Sequence, residues 1–124
     1  MKSKIIRIGK DAVNEKEPIL ILFGDRATAA IENVSVIQTF TETAEDFQLV
    51  KGDIIRFGDQ NFTIEHVGNN VQANLNTIGH ITIVFSEFNE NHFLETSVYA
   101  SPHHLPRLEV GMEIQYQSNR VQKG

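Results

Sequence analysis

Ile54-Ile55-Arg56-Phe57, Gly58-Asp59-Gln60-Asn61 and Phe62-Thr63-Ile64 decide the fold class. Two short β-branched and aromatic runs flank a polar stretch with one glycine, which reads as a β-hairpin closed by a four-residue connection. The same signature repeats on both sides. Lys4-Ile5-Ile6-Arg7-Ile8 stops at Gly9, and Pro18-Ile19-Leu20-Ile21-Leu22-Phe23 is a continuous apolar run suited to a strand buried on both faces. Val34 to Phe40, His80 to Phe85, Thr96 to Ala100 and Glu113 to Tyr116 complete a set of eight strands. Many short strands with glycine-containing turns predict an all-β fold, a small closed or partly open β-barrel.

Helical periodicity is confined to two places. Val71, Leu75 and Ile78 stand at helical spacing, with Asn69 or Asn70 before them as a cap and Gly79 after them as a stop. This predicts one short helix; Ala27 to Glu32 adds a turn or two. Leu49-Val50-Lys51-Gly52-Asp53-Ile54-Ile55-Arg56-Phe57 echoes Leu108-Glu109-Val110-Gly111-Met112-Glu113-Ile114-Gln115-Tyr116 as Leu-x-x-Gly-x-x-Ile-x-aromatic. The echo reads as a generic glycine turn into a barrel strand, with a duplicated half-barrel as the alternative.

With 124 residues the chain suits a single domain over residues 1–124. Such a length buries roughly two-thirds of the unfolded surface without staples. Cysteine is absent, which fits a reducing compartment and excludes thiolate metal sites and cysteine nucleophiles. No apolar run reaches the length of a signal peptide or of a membrane helix, so the expected location is cytoplasmic, with no direct membrane insertion. Eleven basic residues are scattered among sixteen acidic ones, for a net charge of −5. That distribution argues against a nucleic-acid partner, whose phosphates require concentrated positive charge. The polar tail, residues 118–124, is expected to fray.

The five histidines are His66, His80, His92, His103 and His104. None pairs at metal-ligand spacing, and no phosphate loop or dinucleotide fingerprint occurs, so neither a metal nor a cofactor is expected. His103 and His104 point opposite ways along an extended segment and read as solvated loop residues. His80 follows Gly79 at a helix-to-strand junction; a neutral imidazole there can accept a proton, a phosphate or an ion, or simply bond a backbone group.

Several of these stretches together resemble one family. Arg7-Ile8-Gly9, Leu20-Ile21-Leu22-Phe23, Gly52-Asp53-Ile54-Ile55-Arg56-Phe57-Gly58, Phe62-Thr63-Ile64-Glu65-His66-Val67-Gly68 and above all Asn74-Leu75-Asn76-Thr77-Ile78-Gly79-His80-Ile81-Thr82-Ile83-Val84-Phe85 are similar to the glucitol/sorbitol-specific enzyme IIA of the bacterial sugar phosphotransferase system (PTS). Thr96-Ser97-Val98-Tyr99, Pro102 and Gly111 extend the likeness over nearly the whole chain. The resemblance implies a phosphocarrier that takes phosphate on a histidine from the small carrier HPr. The carrier hands it to a cysteine of the IIB domain, coupled to sugar alcohol uptake by the membrane IIC protein. It also implies where that histidine stands, after an aromatic-Ile pair that shortly follows Pro-Ala-Asp-Leu. Thr28 replaces the proline of that segment, Ala30 the aspartate, and Gln38 the acceptor. No histidine precedes His66, and an amide is not a phosphate carrier. Gln38 and His80 are therefore the candidate site residues, expected to share one cleft with Gly79. Either the family's relay runs in an altered form, or the scaffold has become a phosphotransfer-inactive regulatory or binding module. The sugar, the partner and the oligomeric state stay open.

Overall fold

The eight short runs form eight strands, and their hydrogen bonds close into a ring. The computed structural model describes residues 1–43 and 47–118; the end of the polar tail lies outside them. The strands are β1 (Lys2–Ile8), β2 (Ile19–Phe23), β3 (Val36–Glu42), β4 (Ile54–Phe57), β5 (Gln60–Val67), β6 (Ile81–Val84), β7 (Ser97–Ser101) and β8 (Glu113–Gln117). Around the closed barrel they run β1-β3-β2-β6-β7-β5-β4-β8. Two helices join them, α1 (Ala29–Asn33) between β2 and β3, and α2 (Val71–Ile78) between β5 and β6. Among the described residues no helix is long and apolar enough to cross a membrane.

Alternation supplies the core. Leu20, Leu22, Ile55, Phe57, Phe62, Ile64, Ile81 and Ile83 are all buried, because every second residue of a strand faces the same way. The Phe62 ring meets Phe57 and Phe85 edge-on, with centroids 5.9 and 4.9 Å away. Such pairs add roughly 0.5–1.5 kcal/mol each beyond area burial.

Two expectations shift in detail. The β4–β5 connection has two residues rather than four, since Phe57 pairs with Gln60 and Arg56 with Asn61. Gly58, at φ +63°, takes the first of the two places, a conformation that lets so tight a turn follow the strand twist. In α2, Val71 and Leu75 are buried as the spacing predicts, but Ile78 is 47% exposed beside the helix end. Gly79 does stop this helix, at φ +66°. Asn70 occupies the first cap position without a side-chain bond, while the Asn69 amide donates to Glu95 instead.

The echo marks a duplication. Advancing every strand by four maps the ring onto itself: β1–β3 becomes β5–β7, both antiparallel, and β2–β3 becomes β6–β7, both parallel. The correspondence reaches single bonds. Ile64 N–H donates to the Asp53 carbonyl at 2.8 Å, and Ile5 N–H to the Met112 carbonyl at 2.9 Å. Gly52 and Gly111 share φ values of +96° and +94°. Gly9 and Gly68 donate to the carbonyls of Ser35 and Ser97, and each serine hydroxyl is fully buried without a partner among the described residues. The glycine entry is thus one of two equivalent corners rather than a generic turn.

Candidate functional site

Gln38 lies on the inward face of β3, with Val36 before it and Phe40 after it. A polar side chain with no solvent exposure needs partners within the fold. Gln38 has three. Its Oε1 accepts from the Ser3 hydroxyl at 2.6 Å and from the Tyr116 hydroxyl at 2.6 Å. Its Nε2 donates to the Gly79 carbonyl at 3.0 Å. The amide orientation follows from chemistry: a carbonyl can only accept, so the NH₂ faces Gly79 and the oxygen faces the two hydroxyls. One side chain thereby ties β3 to β1, to β8 and to the end of α2. Burial pushes the Tyr116 phenol well above its ordinary range, partly offset by the bonds to Gln38 and Ser3.

A cavity of 330 Å³ opens beside this amide. Its walls come from residues 23–26, 38–40 and 75–79, so it lies where the C-terminus of α2 meets the end of β2. Gly24 and Gly79 bring the two backbones together. A Cβ on Gly24 would stand 2.7 Å from the Ile78 carbonyl oxygen, a separation no side chain tolerates. The Gly24 N–H donates to that same oxygen at 3.1 Å.

Of the residues expected to meet here, Gln38 and Gly79 do. His80 is the next residue, but its ring turns along β2: Nδ1 lies 3.2 Å from the Leu22 carbonyl, and the ring packs on Phe23 at a centroid distance of 5.1 Å. The carbonyl can only accept, so Nδ1 is the donor of this bond. Elsewhere, His103 faces Glu65 at 3.3 Å and His104 packs edge-on against Phe62. His66 stacks on Phe88 with centroids 3.8 Å apart.

Sequence reasoning missed Ser3 and Tyr116. Tyr116 carried a signal, since it closes the echo motif and its counterpart Phe57 is core. Ser3 carried none, because only the β1–β3 register places its hydroxyl opposite Gln38.

Comparison with known proteins supplies a family. The profile of the PTS system glucitol/sorbitol-specific IIA component matches residues 1–115. The crystal structure of a PTS system IIA component from Enterococcus faecalis V583 is similar, with 36% identity, a TM-score of 0.89, and coverage of 95% of this chain and 100% of that one. A search of curated proteins gave no match.

Proposed function

This chain belongs to the PTS glucitol/sorbitol-specific IIA family, and on that premise we propose that it is a docking module of the system whose position 38 takes no phosphate. One observation carries the reading. The side chain at the position the resemblance assigns to the acceptor is a fully buried amide held by Ser3, Tyr116 and the Gly79 carbonyl. A phosphate acceptor needs a nucleophilic lone pair, and an amide nitrogen has none to give. Gln38 works as a strut within the barrel. The scaffold around it is that of the family, so the expected partners are an HPr-like carrier and the IIB and IIC transporter components, met in the cytoplasm.

A second reading rests on His80. Its Nδ1 donates to Leu22, so Nε2 of the neutral ring is the candidate nucleophile, on a partly exposed side chain. Relocated chemistry would then keep the protein a carrier.

The test is incubation with enzyme I, HPr and phosphoenolpyruvate, followed by mapping of any phosphorylated residue. The docking reading expects none on the wild-type chain. Phosphate on His80 would establish the carrier reading and overturn the first. Gln38→His should gain phosphate at residue 38, because it returns a ring nitrogen to the position. A folded Gln38→His chain that binds HPr and takes up none would mean that Thr28, Ala30 and the burial of position 38 have remodelled the site as well.

A further inference from the structure

We infer that the outer face of the β2–β6 pair docks a second copy of this chain, making a twofold dimer. Self-association goes beyond the docking reading above and does not rest on it.

The strands on either side of this pair are covered on the outside. Ile37 and Tyr99 alternate with the inward residues of β3 and β7 and so point outward, yet both are buried. In the first repeat the connection after β2 closes over β1, where Glu32 pairs with Arg7, the residue opposite Ile37. In the second the connection after β6 does the same, as Phe88 stacks on His66 and packs edge-on against Tyr99. Between the two covers lie β2 and β6. Their outward residues Ile19, Ile21, Phe23, His80, Thr82 and Val84 all keep some exposure, and Ile19 is 39% exposed. None of them is Asp, Glu, Lys or Arg. An uncharged, mainly apolar sheet face open to water marks a protein contact.

The duplication says what fits there. The pair Leu22–Val36 corresponds to Ile83–Val98, so Ile21 is equivalent to Thr82, which is also its cross-strand partner. The half-turn relating the repeats therefore passes through the middle of this face, and its two ends are alike in backbone. They are opposite in charge. Arg26 stands three residues beyond Phe23, and Glu87 three residues beyond the equivalent Val84. Both are exposed, and neither has an ion pair among the described residues. Consider a half-turn about an axis in the plane of the face, at right angles to the Arg26–Glu87 line. It lays Arg26 of each copy over Glu87 of the other. Such a contact is self-complementary, and the charges choose its orientation. A partner surface of one sign would match only one end. The contact also covers the His80 ring, so only the monomer offers that ring to a phosphate donor.

The test is analytical ultracentrifugation of the full chain at low ionic strength. A face of two strands lies at the small end of interface sizes, so a dimer dissociating on roughly the 10–100 μM scale is expected. On dilution, amide NMR shifts should be confined to residues 19–26 and 80–87. Arg26→Glu and Glu87→Arg each turn two attractions into two repulsions. One unit-charge contact at about 4 Å in water is worth about fivefold, so each variant should self-associate at least about 100-fold more weakly. Mixed together, the two variants should form a heterodimer of near wild-type strength, because opposite signs meet again at both ends. Both residues are exposed, so these variants keep the fold. Ile19→Glu sets a charge in the apolar stripe and should abolish the dimer, with far-UV circular dichroism confirming that the chain is folded. A wild-type chain still monomeric at about 1 mM, well above the expected scale, overturns the inference. So does a dimer that either charge reversal leaves unchanged, or a mixture of the two variants that stays monomeric. A monomer whose residues 19–23 and 80–84 shift with HPr instead would give the face to a partner protein and overturn it equally.

Discussion

Replacing Gln38 by leucine removes a side chain of similar size and leaves three buried groups behind. Those are the Ser3 hydroxyl, the Tyr116 hydroxyl and the Gly79 carbonyl, which now accept from or donate to Gln38 at 2.6, 2.6 and 3.0 Å. Ser3 is fully buried and Tyr116 is 1% exposed, so water does not replace the lost partner. A buried polar group stripped of its partner costs about 1–3 kcal/mol. All three groups lose the same single side chain, so the lower end of that range is taken for each. The expected cost of Gln38→Leu is therefore about 3 kcal/mol, a large share of the ~5–15 kcal/mol that holds a domain together. Tyr116→Phe is milder, about 1 kcal/mol, because the Gln38 oxygen keeps Ser3. The decisive quantity is their combination. With Gln38 already absent, removing the Tyr116 hydroxyl deletes a stranded donor, so the double variant should be no less stable than Gln38→Leu alone. The coupling is then at least about 1 kcal/mol. Urea unfolding followed by far-UV circular dichroism measures all four corners, with unchanged m-values as the check on two-state behaviour. A Gln38→Leu cost below about 0.5 kcal/mol, or strict additivity with Tyr116→Phe, would refute the strut.

Alkaline pH probes the same network. Burial raises the Tyr116 phenol in the fold, so its contribution is complete below the ordinary tyrosine value of about 10. Above that pH the unfolded chain loses the proton first, and stability should fall by about 1.4 kcal/mol per unit; Tyr116→Phe should remove that slope in urea titrations repeated across pH. Gly9→Ala and Gly68→Ala would place a Cβ 2.0 and 2.2 Å from the carbonyl oxygens of Glu32 and Glu95. Each should lower stability by about 2 kcal/mol or more in thermal unfolding, and by similar amounts. Gly52→Ala and Gly111→Ala meet open space and only the strain of positive φ, so each should cost about 1 kcal/mol in the same assay.

The strands were legible because each is a short alternating or continuous apolar run between polar turns, and α2 because Val71 and Leu75 stand one turn apart. What escaped was set by pairing between distant segments. Gln60 and Asn61 look like loop residues, yet register adds them to β5. Ile78 fits the helical face by spacing, but the helix ends at the cavity before that face is covered. Gln38 could be singled out by resemblance, while its three partners come from residues 3, 79 and 116, which local pattern cannot join. His80 was expected to turn toward Gln38; its ring instead bonds Leu22, because the strand alternation that points Ile81 inward sends His80 the other way.

The duplicated ring also constrains how the chain comes into being. Neither repeat closes alone: β8 of the second fills the gap between β1 and β4 of the first, and β2 pairs with β6 across the seam. During synthesis β1 waits with one edge unpaired until β8 leaves the ribosome, and such non-local pairing makes for slow folding and an exposed edge in the meantime. Once closed, the amino group of Met1 bonds the Tyr116 carbonyl, so the start of β1 and the end of β8 finish side by side. A circularly permuted gene that joins them by a short linker and opens at the Gly58-Asp59 turn would let β8 and β1 emerge together, and the ring should then close sooner after release.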